Sequence, residues 1–178
     1  MACPQTLAGI AKDCSPSMGG VVEVLLANRD DVTAITITDG KISAITMASA
    51  GTPPVAATFK QYAFRPNTSS MTSNWQVNPE NGSLYVQTDL QMIFSRMETT
   101  KRMEISALAL ADLVAIVKDC NGKYWYLGYD NPLFLSAGDG QTGTARSDRN
   151  GYSVTLQDDS KELPYEVADS IIAGLLGA

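Results

Sequence analysis

Residues 32–47 read Val-Thr-Ala-Ile-Thr-Ile-Thr-Asp-Gly-Lys-Ile-Ser-Ala-Ile-Thr-Met, and this stretch decides the fold class. Apolar and polar residues alternate with a period of two on both sides of Asp39-Gly40. Such alternation is typical of half-buried strands, and an Asp-Gly pair favours a type I′ turn, in which both central residues need a positive φ. The stretch therefore predicts a β-hairpin.

Short apolar runs on both sides of this hairpin predict further strands. Residues 20–28 and 58–64 are predicted as single strands. Residues 68–95 are predicted as a long hairpin, because Pro79-Glu80-Asn81-Gly82 is a turn sequence between two strand-forming runs. Asn121-Gly122 predicts another hairpin turn. The remaining predicted strands are 133–137, 152–157 and 162–167, with the glycine-rich residues 138–143 as a loop.

Residues 97–111 are the best helix candidate, since they are rich in the strong helix formers Ala, Leu, Met, Glu, Lys and Arg. Asp169 is a suitable N-cap for a short closing helix over 170–176. About eight to ten strands around one central helix indicate a mainly β fold. We expect an antiparallel β-sandwich or barrel with one flanking α-helix at about residues 97–111.

The 178 residues are expected to form a single domain, given ordinary domain sizes. Residues 1–19 contain Pro, Gly and Ser with few apolar anchors, and are predicted as an extended N-terminal arm. Residues 20–167 are predicted to form the β-sandwich with its helix. Residues 168–178 are predicted as a C-terminal segment, and no internal repeat or linker divides the chain.

The composition argues against catalysis. The chain has no histidine, which removes the commonest general base and most zinc sites. The segment 138–143 lacks the Lys-Ser/Thr that ends a phosphate-binding loop. The adjacent acids Asp30-Asp31 and Asp158-Asp159 fall at predicted turns, where neighbouring side chains diverge. We therefore predict that the protein is not an enzyme and has no catalytic, metal-binding or cofactor-binding residue and no small-molecule substrate.

Charge and cysteine content restrict the partners and the compartment. The net charge is −6, with 13 Lys and Arg against 19 Asp and Glu, which disfavours tight nucleic-acid binding. No apolar run reaches the roughly 18 residues of a membrane span. Cys3, Cys14 and Cys120 are expected as free thiols, with a Cys3–Cys14 disulfide as the alternative. The N-terminus lacks the pattern of a signal peptide, which predicts synthesis in a cytoplasm without export.

Two apolar groups are candidate contacts between copies of the chain. The C-terminal segment could dock on its own core or hold a neighbouring subunit. Successive residues of a strand face opposite sides of a sheet, so Tyr124 and Tyr126 share one face. Together with Tyr129 they could instead form a sugar-binding platform. The candidate interface residues are therefore Ile171, Ile172, Leu175, Leu176, Tyr124 and Tyr126.

The second half of the chain contains an ordered series of motifs. Lys101-Arg102-Met103-Glu104-Ile105 lies in the basic predicted helix, and residues 114–128 follow as a strand pair whose turn region is Asp119-Cys120-Asn121-Gly122-Lys123-Tyr124-Trp125. Residues 142–156 add a glycine-containing loop and then Asp148-Arg149-Asn150-Gly151-Tyr152. Across residues 97–167 this order resembles the tail-tube-type virion proteins of tailed bacteriophages, and of prophages, from Bacteroidetes-like hosts.

That resemblance implies a small β-sandwich that forms stacked rings, usually hexameric, with long hairpins lining a DNA channel. The expected partners are copies of the chain and other virion proteins, with only passive contact with translocating DNA. The expected location is the virion tail, after synthesis in the bacterial host cytoplasm. An acidic balance fits a channel that must not hold DNA. The alternatives are another virion component (a connector, capsid-associated or baseplate protein), or a β-sandwich that binds carbohydrate or a host surface.

Overall fold

The structure, a computed structural model, describes residues 9–51 and 55–177. In these ranges the strands are β1 (Val21–Asn28), β2 (Val32–Thr38), β3 (Lys41–Met47), β4 (Ser49–Ala50), β5 (Val55–Ala56), β6 (Lys60–Ala63), β7 (Ser70–Asn78), β8 (Ser83–Ser95), β9 (Leu113–Asp119), β10 (Tyr124–Leu127), β11 (Phe134–Gln141), β12 (Gly151–Ser160) and β13 (Tyr165–Val167). The α-helices are α1 (Thr99–Leu108) and α2 (Asp169–Leu175), and Arg29–Asp31 forms a 3-10 turn.

The strands form two main sheets that pack face to face. The seven-stranded sheet has the order β2-β3-β13-β10-β9-β1-β6, and the four-stranded sheet has the order β11-β12-β8-β7. Neighbouring strands are antiparallel, except that β13 runs parallel to β3. The predicted mainly β fold with a flanking helix is confirmed. Neither sheet closes on itself, so the architecture is a sandwich and not a barrel.

The hairpins predicted from turn sequences are confirmed. Asp39 and Gly40 have φ values of 52° and 75°, as a type I′ turn requires, and they connect β2 to β3. The long predicted hairpin of residues 68–95 is β7–β8, with nine pairs from Ser70↔Gln91 to Asn78↔Ser83. The Asn121-Gly122 turn connects β9 to β10.

The central strands β1 and β9 of the seven-stranded sheet are buried on both faces. One face packs on the four-stranded sheet and on Leu108 of α1. On the other face, Ile172 and Leu175 of α2 and Phe59 pack on residues of β1, β9 and β3. This explains why β1 and β9 are almost continuously apolar, since strands buried on both faces show no alternation.

Both helices differ slightly from the prediction. The helix expected over 97–111 is α1, which is shorter because Arg96 has a φ of 66° and Glu98 is extended. At its other end α1 stops at Leu108, in the inter-sheet core. The closing helix is confirmed, but Asp169 is its first residue and does not cap it; the N-cap is Ala168.

The prediction of a loop at 138–143 is wrong for most of its length. β11 continues to Gln141, because Gly138 to Gln141 pair residue by residue with β12. Gly140 makes this possible, since a Cβ at that position would lie 3.0 Å from the ring of Tyr152. The glycine at position 140 is therefore explained by the close approach of the Tyr152 ring and not by a flexible loop.

The prediction that Asp158-Asp159 is at a turn is also wrong. Both residues lie within β12, which pairs with β8 as far as Ser160↔Val86. Asp158 follows Val154 and Leu156 on the inner face and is 3% exposed. Every second side chain of β12 therefore points into the core as far as Asp158, two residues beyond the last apolar one, Leu156.

The described part of the N-terminal arm, residues 9–19, is exposed and contains no helix or strand. Its end is attached to the β9–β10 turn, where the Met18 amide donates to Asn121 Oδ1 at 2.9 Å. Cys14 and Cys120 are free thiols. Cys3 lies outside the described residues, as does the rest of the arm.

Candidate assembly surfaces

The outer face of the four-stranded sheet is polar and carries no positive charge from its strands. β7, β8, β11 and β12 contain no Lys or Arg at all. Alternation and register place three carboxylates on this face, those of Asp89, Asp139 and Asp159. Asp139 is paired with Arg149, of the β11–β12 loop, at 2.8 Å. Most of the other side chains on this face are Ser, Thr, Asn and Gln, which include Thr72, Asn74, Gln87, Gln91, Ser153 and Thr155. Tyr85, Ile93 and Phe134 also lie on it.

The same sheet has two free edges. Among residues 9–51 and 55–177, β7 pairs only with β8 and β11 pairs only with β12, so each has an unpaired row of backbone donors and acceptors there. Natural edge strands are usually protected by Lys, Pro or a covering element. Neither β7 nor β11 contains Lys, Arg or Pro. These two edges are therefore suited to pair with another chain.

The β7–β8 hairpin projects beyond the rest of its sheet. β12 reaches β8 only as far as Val86, so in the part of the chain that the structure describes the pairs Gln76↔Tyr85 to Asn78↔Ser83 have no third strand beside β8. Isolated two-stranded hairpins are marginally stable in water. A further element that packs on this end would therefore stabilise it.

The projecting end carries apolar side chains on one face. Trp75 pairs with Val86 and Val77 pairs with Leu84, so all four side chains share the face that packs on the core further along the sheet. Val86 is fully buried, whereas Trp75, Val77 and Leu84 are 49%, 65% and 56% exposed. We refer to Trp75, Val77 and Leu84 as the hairpin knob.

The predicted interface residues do not form one exposed patch. The structure places three of them in the chain's own core, where they are at most 6% exposed: Tyr126, Ile172 and Leu175. The other three pack on the same core and stay partly exposed: Tyr124, Ile171 and Leu176. Only these last three present surface to a second chain.

The three tyrosines considered as a sugar platform are also separated. Tyr126 is 1% exposed, and burial raises the pKa of its phenol. Tyr124 lies beneath the Lys118 ammonium, 5.2 Å from the ring centre. Tyr129 packs edge-to-face on Tyr165 at 5.1 Å between centroids. They therefore present no continuous aromatic surface for stacking.

Asp158 is a buried carboxylate that links the two sheets. Its Oδ2 accepts a hydrogen bond from the Gly128 amide at 3.1 Å, just after β10, and its Oδ1 accepts one from Ser160 Oγ at 2.8 Å. Burial raises the pKa of this carboxyl, and the two hydrogen bonds oppose that rise. The geometry is structural, because both oxygens are occupied by groups of the same chain.

Sequence reasoning missed the hairpin knob and the role of Asp158. A signal for the knob exists in β7, where Met71, Ser73, Trp75 and Val77 alternate in the same phase along the predicted hairpin. A signal for Asp158 exists in the phase of Val154 and Leu156. Neither signal shows where the opposite sheet ends, which decides whether such a residue is buried or exposed.

Comparisons with protein-family models, with curated proteins and with solved structures gave no match for this chain. Among the described residues, no helix is long and apolar enough to cross a membrane. In those same ranges, no group of three or more His, Cys, Asp or Glu side chains is placed to hold a metal ion. The functional argument therefore rests on the surfaces of the four-stranded sheet.

Proposed function

We propose that the chain is a tail-tube subunit of a tailed bacteriophage or prophage, forming stacked rings around a DNA channel. The observation that carries the proposal is the four-stranded sheet, which combines two unprotected edges with a mostly polar outer face whose strands contain no Lys or Arg. The resemblance of residues 97–167 to tail-tube-type proteins supports the same conclusion.

The free edges provide a way to close a ring. Pairing β7 of one copy with β11 of the next is a head-to-tail contact, and such contacts generate rings when the rotation closes. Closure removes every free edge of the four-stranded sheet, as in any barrel. Each copy then contributes four strands to one continuous wall.

The strand count favours six copies over three. Twenty-four strands spaced about 4.8 Å apart give a wall about 37 Å across, before the widening caused by strand tilt. Three copies would give a wall about 18 Å across, which inward side chains would largely fill. Barrels of 16–18 strands already enclose an aqueous channel. A hexamer therefore leaves room for a DNA duplex.

The outer face of the sheet becomes the channel lining in this arrangement. Phosphate binding needs clustered Lys and Arg side chains, which the four strands lack. The carboxylates of Asp89 and Asp159 repel the DNA backbone at short range, whereas that of Asp139 is neutralised by Arg149. DNA can thus pass along the wall without being held.

The test is assembly of the purified full-length chain, measured by multi-angle light scattering and negative-stain electron microscopy. We expect rings and tubes with a central channel. The double variant Thr72→Lys/Asn74→Lys should prevent ring closure, because lysines on an edge strand oppose pairing. The matched control is Thr36→Lys/Thr38→Lys on β2, an edge strand of the other sheet, which should still assemble.

Three results would count against the proposal. A chain that stays monomeric at high concentration, over a range of salt, would contradict it. So would equal loss of rings in the β7 variant and the β2 control. Rings that never stack would instead favour a connector-type role in the virion.

A further inference from the structure

An apolar groove lies at the opposite end of the four-stranded sheet from the hairpin knob. It is formed between α1, β6 and the end of β8, and has a volume of about 230 Å³. Its floor is aromatic and aliphatic, with Tyr62 and Phe94 in edge-to-face contact at 6.2 Å between centroids. The lining residues are Tyr62, Ala63, Phe94, Ile105 and Leu108, with Lys101 and Glu104 at the side of α1.

The knob and the groove are held apart by the length of one strand. Leu84 of the knob and Phe94 of the groove both belong to β8, ten residues apart. At about 3.3 Å per residue, this places them about 33 Å from each other. A single chain cannot bring the two together, but the knob of one copy can reach the groove of another.

One acidic residue at the knob end has a candidate cationic partner beside the groove. Glu80, in the turn of the β7–β8 hairpin, is the one charged residue between Ser70 and Thr88. The groove is bordered by α1, whose Lys101 and Glu104 line it and whose Arg102 is exposed beside it. Glu104 accepts a hydrogen bond from the Tyr62 hydroxyl. Lys101 already contacts Glu98 at 3.3 Å, which leaves Arg102 as the better partner for an approaching Glu80.

We propose that the hairpin knob of each subunit docks in the α1–β6–β8 groove of a second copy, in the next ring of the stack. This inference rests on the proposed function and names the contact that turns rings into tubes. Because the two surfaces differ, the contact is heterologous and leaves an unused knob at one end and an unused groove at the other. Such contacts add copies indefinitely along one direction.

The first test separates stacking from ring closure. Val77→Asp and Leu84→Asp should leave rings intact and abolish tubes, because a carboxylate cannot enter the apolar groove without losing its hydration. Ala63→Arg, an exposed lining position, should do the same from the other side by filling the groove. The matched control is Leu110→Asp, since Leu110 is 92% exposed but outside both surfaces, and this variant should form normal tubes.

The second test identifies the partner surface by disulfide trapping, with Cys3, Cys14 and Cys120 replaced by Ser. Oxidised Val77→Cys/Ala63→Cys chains should give a ladder of covalent multimers on denaturing gels. The control Val77→Cys/Ala56→Cys places the second thiol in a different groove, beside α2, and should stay monomeric. A charge exchange is the third readout: Glu80→Lys should shorten tubes, and adding Arg102→Glu should restore them.

The outcomes distinguish this inference from the proposed function. Tubes that persist in the Val77→Asp and Ala63→Arg variants overturn the docking contact but leave the tube function standing. A ladder in the Ala56 control instead of the Ala63 pair assigns the knob to another groove and also overturns it. Failure of the unaltered chain to form any ring overturns both.

Discussion

The buried carboxylate of Asp158 gives the sharpest prediction about the subunit itself. Replacing Asp158 by Ala removes the acceptor of the Gly128 amide and of Ser160 Oγ. A buried donor left without a partner costs about 1–3 kcal/mol. Asp158→Ala should therefore lower the free energy of unfolding by about that amount. In a chain of this size each kcal/mol corresponds to about 2–4 °C of melting temperature.

Asp158→Asn is the matched variant. An Asn side chain can accept from the Gly128 amide through Oδ1 and donate to Ser160 Oγ through Nδ2. It keeps the shape and both hydrogen bonds and removes the buried charge. We expect this variant to be at least as stable as the unaltered chain at pH 7.

The pH dependence follows from the direction of the shift. Burial raises the pKa of Asp158 in the folded state, so its ionised form opposes folding at neutral pH. As pH falls through the folded-state pKa, the unaltered chain should gain stability relative to Asp158→Asn. This gain in stability should level off at pH values below the pKa of the carboxyl in the unfolded chain, about 3.9. Its size should be about 1.4 kcal/mol for each unit by which the folded-state pKa exceeds the unfolded-state pKa.

The assay is urea unfolding between pH 7 and pH 3 in the Thr72→Lys/Asn74→Lys background, which keeps assembly from contributing to stability. The reasoning is refuted if Asp158→Asn is as destabilising as Asp158→Ala at pH 7. It is also refuted if the unaltered chain and Asp158→Asn show the same pH profile, because the carboxyl would then titrate without sensing its burial.

Two further predictions concern packing. Gly151→Ala should lower the free energy of unfolding in urea by more than about 2 kcal/mol, because Gly151 has a φ of +154° and a Cβ there would lie 2.0 Å from the Phe94 carbonyl oxygen. The control Gly138→Ala should be nearly neutral, because a Cβ at that position has no contact under 3.7 Å. Equal losses of stability in the two variants would contradict this prediction. Leu175→Ala should cost about 2–5 kcal/mol and lower the melting temperature, because Leu175 is 5% exposed, whereas Leu176→Ala should cost less. Loss of tubes at an unchanged melting temperature in Leu175→Ala would show that this residue contacts another subunit.

Local sequence predicted the elements of the fold well, because each depends on a few neighbouring residues. The Asp39-Gly40 turn requires positive φ at both positions, and the structure has it. The long hairpin and the two helices follow in the same way from turn sequences and helix formers. The strand order does not, since pairings such as β13 with β3 join segments more than a hundred residues apart. No local periodicity carries that information.

The candidate surfaces were harder to predict, because exposure depends on where neighbouring elements end. Ile172 and Leu175 look like an unattached apolar stripe in the sequence, yet α2 packs them on the seven-stranded sheet. Trp75 and Val77 look like ordinary members of a half-buried strand. They are exposed because the strand continues after the opposite sheet has ended. An apolar pattern therefore identifies a packing face without saying which chain it packs against.

The seven-stranded sheet contributes mainly to the stability of the subunit, and the four-stranded sheet carries the surfaces proposed for assembly. The central strands of the seven-stranded sheet are covered on both faces by their own chain, so both apolar cores include them. The four-stranded sheet shares one of those cores, but its outer face, its edges and its hairpin end face away from the chain's own interior. Substitutions on these outer features therefore remove little buried apolar area. For this reason loss of assembly and loss of folding can be measured separately in this protein, as the variants of Val77 and of Leu175 require.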